Sequence, residues 1–236
     1  MKNFHINHRD ISNIFWKKLF SYSSNMNPDK VSLLKFNENL DKLKNKATYK
    51  TGSINRTTQW ALFSLAYFFE VKSIIEVGSY IGKSLSSLLH GSVKASLNNE
   101  DILAICCDKD NKITLPKFSK AKVHQFHKKT STEMFKNIDK NIQFDLFHFD
   151  GRIQNEDIDY IKKFSHNESI YLFDDFEVVE KGVVNYSLML ENNIIDKTKY
   201  LIITPPNEII LKEFGFFEKC TTACVIPFSV IRFSTQ

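Results

Sequence analysis

Glycine and proline are scarce in this sequence, with 7 Gly and 5 Pro among 236 residues. This composition excludes a collagen-like chain and a low-complexity chain, because both depend on those residues. Long hydrophobic runs are also missing. The longest apolar stretch, from Trp60 to Val71, is interrupted by Ser64 and falls short of the roughly 20 apolar residues that a membrane-spanning helix needs. It predicts a buried helix, and we expect no membrane association.

Cysteine is rare as well, and its spacing suits neither a disulfide framework nor a zinc site. Cys106 and Cys107 are adjacent within an apolar run and would point to opposite faces of a strand. Cys220 and Cys224 lack further ligands at zinc spacing. We therefore expect four buried free thiols. Because the N-terminus lacks the continuous apolar segment of a signal peptide, the expected location is the cytoplasm.

Charge does not single out a polyanionic partner. The formal net charge is +5, from 32 Lys and Arg against 27 Asp and Glu, and the lysines are spread along the chain. Such a balance permits weak attraction to nucleic acid without forming a dedicated patch. With 42% hydrophobic and 25% charged residues, the composition is typical of one globular domain with at most a modest extension. We do not expect nucleic acid to be a partner.

Alternating apolar runs and helical patterns predict a doubly wound α/β fold with a mostly parallel, seven-stranded sheet. The expected strands are 73–77, 102–107, 122–126, 144–149, 169–173, 200–204 and 225–233. Their uniformly apolar character requires cover on both faces, which expected helices at 83–90, 131–139, 153–164 and 181–192 would supply. The last two strands could close the sheet as an antiparallel pair.

Two helical patterns precede this alternation, at 9–22 and 29–46, and a third helix is expected at about 56–70. We therefore divide the chain into an N-terminal helical extension, residues 1–55, and an α/β domain, residues 56–236. The extension would cover a ligand or form a homodimer contact, and helical packing alone is the alternative interpretation.

One apolar strand runs into a two-glycine turn and then a helix, over residues 74–84, with the sequence Ile-Ile-Glu-Val-Gly-Ser-Tyr-Ile-Gly-Lys-Ser. Glycine lets the backbone leave the strand and lets a ligand approach main-chain N–H groups at the helix start. A phosphate-binding P-loop needs four residues between its glycines, whereas three separate Gly78 from Gly82. The dinucleotide order G-x-G-x-x-G is also absent. A turn that binds no ligand is the remaining alternative.

The pattern E-x-G-x-x-x-G resembles the first motif of class I S-adenosylmethionine-dependent methyltransferases, and in detail that of the catechol O-methyltransferase group. The resemblance covers about residues 72–176 and implies a Rossmann-like methyltransferase fold with S-adenosylmethionine as cofactor. The implied cofactor-binding residues are Glu76, Gly78, Ser79, Tyr80, Gly82 and Ser84, then Asp108 for the ribose hydroxyls, Ser131 beside adenine, and Asp150. Asp108 follows the turn at a longer distance than usual, because we expect an extended loop over residues 91–101.

Acidic residues end two of the expected strands. Asp150 follows the strand 144–149, and Asp174 and Asp175 follow the strand 169–173. The ends of adjacent parallel strands lie roughly 5 Å apart, and three carboxylates that close repel one another unless a cation or protons intervene. Oxygen ligands favour Mg²⁺, with Ca²⁺ or Mn²⁺ as alternatives. Two solvated strand ends are the competing interpretation.

These acids resemble the metal site of catechol and macrocin O-methyltransferase-like enzymes. The resemblance implies divalent-metal-dependent O-methylation of a small hydroxylated molecule, such as a sugar, a polyketide or a phenolic. The base of those enzymes is missing here, because Gly151, Arg152 and Ile153 follow Asp150. Candidates for a catalytic residue are His148, Lys181 and His127, and we expect His148 to be a packed core histidine instead.

Two other functions remain open at this stage. A nucleic-acid methyltransferase would carry a Pro-Pro-aromatic motif after the fourth strand, but Pro205 and Pro206 lie far downstream of it. A non-catalytic S-adenosylmethionine-binding module would keep the turn and lack a base. A small-molecule acceptor is the partner that we expect.

Overall fold

The computed structural model of the chain describes residues 8–96, 101–177 and 179–231. Within them one sheet has seven strands, in the order β3-β2-β1-β4-β5-β7-β6. The strands are β1 (Ser73–Val77), β2 (Ile102–Asp108), β3 (Ala121–His127), β4 (Phe144–Phe149), β5 (Ser165–Phe173), β6 (Tyr200–Ile203) and β7 (Ala223–Pro227). Strands β1 to β5 pair in parallel, whereas β7 runs antiparallel to both β5 and β6. The predicted doubly wound sheet and its antiparallel end are confirmed.

Helices flank this sheet and precede it. They are α1 (His8–Ser23), α2 (Asn27–Leu40), α3 (Arg56–Phe68), α4 (Lys83–Ala95), α5 (Ser131–Lys136), α6 (Ile158–Phe164), α7 (Lys181–Glu191) and α8 (Glu208–Glu213), with 3-10 turns at Asp41–Lys46 and Asn155–Asp157. The sequence pattern missed α8, which is six residues long and begins behind the side-chain cap of Asn207 on Ile210 N–H. None of the helices within the described ranges has the length and apolar character that crossing a membrane requires.

Side chains of the strands alternate between two hydrophobic cores, one on each face of the sheet. Ile74 packs on the face covered by α1, α3 and α4, and Ile75 packs on the face covered by α5 and α6. Cys106 and Cys107 fall into different cores, and all four cysteines are free and buried. The expectation of buried thiols on opposite faces is therefore confirmed.

The N-terminal extension shares the first of these cores with the sheet. Trp16 of α1 is fully buried there, and its Nε1–H donates to the carbonyl oxygen of Thr204, just after β6, at 2.8 Å. Phe20 packs against Phe216, with 5.4 Å between the ring centroids. The extension is thus held on the sheet by burial of large aromatic side chains. Its role as a homodimer contact stays a prediction.

Helices α3 and α4 meet at Gly91, which lies inside α4 and not in the loop that we expected over residues 91–101. A Cβ atom at this position would lie 2.2 Å from the carbonyl oxygen of Phe63 and 3.0 Å from the Cβ of Ala66. The close approach of the two helices therefore depends on the missing side chain.

We expect Gly91→Ala to lower the free energy of unfolding by about 1–3 kcal/mol, because the added methyl overpacks the helix contact. Alanine normally stabilises a helix interior relative to glycine, so the sign of the change tests the contact. Urea unfolding measures it. Gly52→Ala is the control, since a Cβ there meets nothing within 4 Å. A Gly91→Ala variant as stable as the wild type would contradict the packing described.

Candidate functional site

The turn after β1 lies against the turn after β4, backbone to backbone. Gly78 has a φ of +91°, and a Cβ atom there would lie 2.7 Å from the main-chain nitrogen of Gly151. The N–H groups of Gly78 and Ser79 donate to the carbonyl oxygen of Cys107 at 3.0 and 3.1 Å. The turn ends at Gly82, in the left-handed conformation, where α4 begins. Glycine at 78 is required by both the positive φ and the lack of space.

Asp108, at the end of β2, joins this turn to the N-terminal extension. One carboxylate oxygen accepts from Tyr80 N–H at 2.7 Å. The other accepts from the Tyr49 hydroxyl at 2.5 Å and from Asp110 N–H at 2.7 Å. The Tyr49 ring stacks on Tyr80, with 5.5 Å between centroids, and Thr48 donates its N–H and hydroxyl to Asp110 at 2.6 and 2.8 Å. Burial and the Asp108 carboxylate raise the pKa of Tyr49, which therefore keeps its proton.

A pocket of about 710 Å³ opens at this edge of the sheet, a size in the range of small-molecule sites. Eight of the predicted residues line it, namely Gly78, Tyr80, Asp108, Ser131, Asp150, Asp174, Asp175 and Lys181. The hydroxyl of Ser131 donates a hydrogen bond to the buried carboxylate of Asp157, with 2.5 Å between the oxygen atoms. The pocket therefore brings the glycine turn and the acidic strand ends into one site.

Six other predicted residues do not line the pocket, as far as the structure describes its lining. They are Glu76, Ser79, Gly82, Ser84, His127 and His148. Glu76 and His148 are fully buried and face each other across β1 and β4, with 2.8 Å between Oε1 and Nδ1. Burial alone would lower the pKa of His148, but the Glu76 carboxylate outweighs it and the pKa is raised. Each residue lies two positions before the turn that ends its strand. Because β1 and β4 are parallel neighbours, this equal spacing is the sequence signal that could have predicted the pair.

The three acidic residues meet as the sequence predicts. Asp150, Asp174 and Asp175 each offer an oxygen atom within 4.8 Å of the others. Burial, and then the charge of Asp174, raise the pKa of Asp150 to about 7. An oxygen of Asp174 accepts from the hydroxyls of Thr221 and Thr222 at 3.1 and 2.9 Å. We call Asp150, Asp174 and Asp175 the acidic cluster.

Lys181, the first residue of α7, reaches into the acidic cluster. Its Nζ contacts an oxygen of Asp150 and lies 3.0 Å from an oxygen of Asp175. Burial alone would lower the pKa of Lys181, but Asp150 and Asp175 together raise it. The side chain is therefore an ammonium ion, which cannot act as a base in this arrangement.

Sequence reasoning missed the pocket residues that come from loops. Among these are Tyr49, Thr51, Gly52, Ser53, Ile54 and Asn55 from the extension, Lys109, Lys129, Thr130 and Gln154 from the turns after β2, β3 and β4, and Lys219 and Thr221 before β7. None of these residues belongs to a motif with a fixed spacing. The place of those from the extension depends on how the extension folds over the sheet.

O-methyltransferases are among the solved structures with the same fold. TomG from Streptomyces achromogenes, an O-methyltransferase involved in tomaymycin synthesis and solved in complex with SAM, is 10% identical, with a TM-score of 0.52 over 91% of this chain and 98% of that chain. An O-methyltransferase from Bacillus cereus in complex with SAH is 12% identical, with a TM-score of 0.50 over 90% of this chain and 98% of that chain. No family model matches the chain, and no curated protein matches it in sequence.

The fold is therefore the Rossmann-like fold of class I methyltransferases, over nearly the whole length of these structures. The fold class inferred from the glycine turn is confirmed. At identities of 10% and 12% the likeness concerns the fold, and the chemistry depends on the residues of the site itself.

We expect Glu76→Ala to lower the free energy of unfolding by about 3–5 kcal/mol, because removal of one member of a buried pair leaves His148 without its partner. Glu76→Gln is the matched control, since its side-chain oxygen can still accept from the imidazole, and it should lose clearly less. Urea unfolding at neutral pH compares the three proteins. Equal stability of the alanine variant and the wild type would show that the pair does not support the core.

Proposed function

We propose that the chain transfers the methyl group of S-adenosylmethionine to an oxygen atom of a small hydroxylated molecule, such as a sugar, a polyketide or a phenolic. The observation that carries this proposal is the single pocket shared by the glycine turn, the carboxylate of Asp108 and the acidic cluster. The bound SAM and SAH of the two similar structures support the choice of cofactor.

The donor set of the pocket fits this cofactor. Gly78 lines the pocket, and its missing side chain leaves room for the turn after β4 to lie against it. The carboxylate of Asp108 can accept from both hydroxyls of a ribose. Ser131, after β3, would lie beside the adenine. In this proposal Glu76 stays in the core, and Ser79, Gly82 and Ser84 shape the turn.

When bound, S-adenosylmethionine supplies a methyl group on a sulfonium; the acceptor O–C bond forms as the S–C bond breaks, and sulfur keeps the electron pair. The protein aligns the acceptor oxygen and removes its proton. Asp150 is the group that would take this proton, because it lines the pocket and burial raises its pKa to about 7, close to the best value for a base near neutral pH.

A cation beside Asp150 would hold the acceptor oxygen and favour loss of its proton. The sequence predicts a divalent ion in this role, Mg²⁺ or else Ca²⁺ or Mn²⁺, and Asp150, Asp174 and Asp175 would be its ligands. The ammonium of Lys181 is the second candidate for the same position. The two cations exclude each other there, because like charges that share the carboxylates of Asp150 and Asp175 repel.

We expect the wild-type protein to bind S-adenosylhomocysteine in calorimetry and Asp108→Asn to bind it at least tenfold more weakly. The amide keeps the size of the side chain but replaces one acceptor oxygen by an NH₂ group. That group is a donor and cannot accept a hydrogen bond from Tyr80 N–H or from a ribose hydroxyl. Glu208→Gln, on the exposed side of α8, is the control and should bind as the wild type does. No heat from the wild type would end the proposal of this cofactor.

Tyr49 should compete with the ribose. The carboxylate of Asp108 has about four lone-pair positions, and three are taken by Tyr49, Asp110 and Tyr80. A diol needs two, so the tyrosine hydroxyl has to give way. We expect Tyr49→Phe to bind S-adenosylhomocysteine several-fold more tightly by calorimetry, and Tyr22→Phe, on α1, to be unchanged. Weaker binding by Tyr49→Phe would mean that the hydroxyl assists the ligand.

A further inference from the structure

The acidic cluster carries its own cation. We propose that the ammonium of Lys181 is the resident cation of the acidic cluster, in the position that a divalent ion would take, and that it holds the acceptor oxygen in its place. The role in holding the acceptor oxygen rests on the proposed methyl transfer. The assignment of Lys181 as the cation of the acidic cluster concerns its contacts alone.

Each carboxylate of the cluster has a partner from the chain itself. Lys181 bridges Asp150 and Asp175, and Asp174 accepts from two threonine hydroxyls. The Lys181 side chain is only 27% exposed and that of Asp150 only 19%, so water screens this ion pair less than a surface pair. A divalent ion would have to expel the ammonium before it could use the same oxygens.

The backbone places Lys181 beside the acidic cluster. Gly182 follows it, and a Cβ atom there would lie 2.2 Å from the carbonyl oxygen of Asp174, so the start of α7 is pressed against the end of β5. Within the same helix Asn185 donates to the carbonyl oxygen of Gly151 at 2.8 Å, which ties α7 to the end of β4. The main chain at Lys181 is thus fixed relative to the ends of β4 and β5, which carry the acidic residues.

An ammonium ion changes which acceptors the pocket suits. It has three N–H donors, and two of them are directed to Asp150 and Asp175. The third is left for one oxygen atom in the pocket that Lys181 lines. A divalent ion can chelate two neighbouring hydroxyls, whereas one N–H binds a single hydroxyl or phenolate oxygen. The acceptor class that follows is a molecule with one reactive oxygen, and a vicinal diol is not required.

Titration with Mn²⁺, followed by the paramagnetic resonance signal of the free ion, tests this assignment without an acceptor. We expect no saturable binding by the wild type up to about 1 mM, and at least tenfold tighter binding by Lys181→Met, because the cluster then lacks its cation. Adding Asp174→Asn to Lys181→Met should abolish the gained site. Lys109→Met removes a charge from the same pocket without touching the cluster, and should behave as the wild type does.

Lys181→Gln is a second neutral variant, for use if the methionine variant does not fold by near-ultraviolet circular dichroism. Wild-type binding of Mn²⁺ as tight as that of the variants would overturn the inference, and so would a failure of both neutral variants to bind. Calorimetry with S-adenosylhomocysteine on the same samples separates the two proposals. Cofactor binding without a gained Mn²⁺ site refutes the lysine assignment alone, and a gained site without cofactor binding refutes the methyl transfer alone.

Discussion

Backbone contact between strand-end turns is the constraint on which the pocket depends. At Gly78 the turn after β1 touches the turn after β4, and at Gly182 the start of α7 touches the end of β5. In both places a side chain would occupy space already filled by main-chain atoms. These contacts set the distance between the glycine turn and the acidic cluster, and hence the distance between any cofactor and its acceptor.

Charge interactions at the strand ends add to the constraint that packing imposes. Asp150, Asp174 and Asp175 lie close enough to repel one another, and the structure offsets this cost with one ammonium and two hydroxyl donors. A second pair of titratable side chains, Glu76 of β1 and His148 of β4, is fully buried. Titratable groups near these strand ends therefore have two separate tasks, support of the core and lining of the pocket.

The sheet and the meeting of Asp150 with Asp174 were predictable from the sequence, because apolar strands that end in acid place those acids at one edge of a parallel sheet. The position of Lys181 in the acidic cluster was not predictable, because it depends on the close packing of Gly182 and not on a motif. Glu76 belongs to the recognised motif, yet its side chain points to the core. Tyr49 reaches Asp108 from a loop, and loops carry no periodic signal that could have placed it.

The ties from Thr48 and Tyr49 to the end of β2 affect how this chain can be divided. The boundary that we drew at residue 55 separates two sequence patterns, but it cuts through the wall of the pocket. A chimera that exchanged the first 55 residues with those of another protein would exchange part of the binding surface with them. Recombination at this point would therefore transmit ligand preference together with the helices.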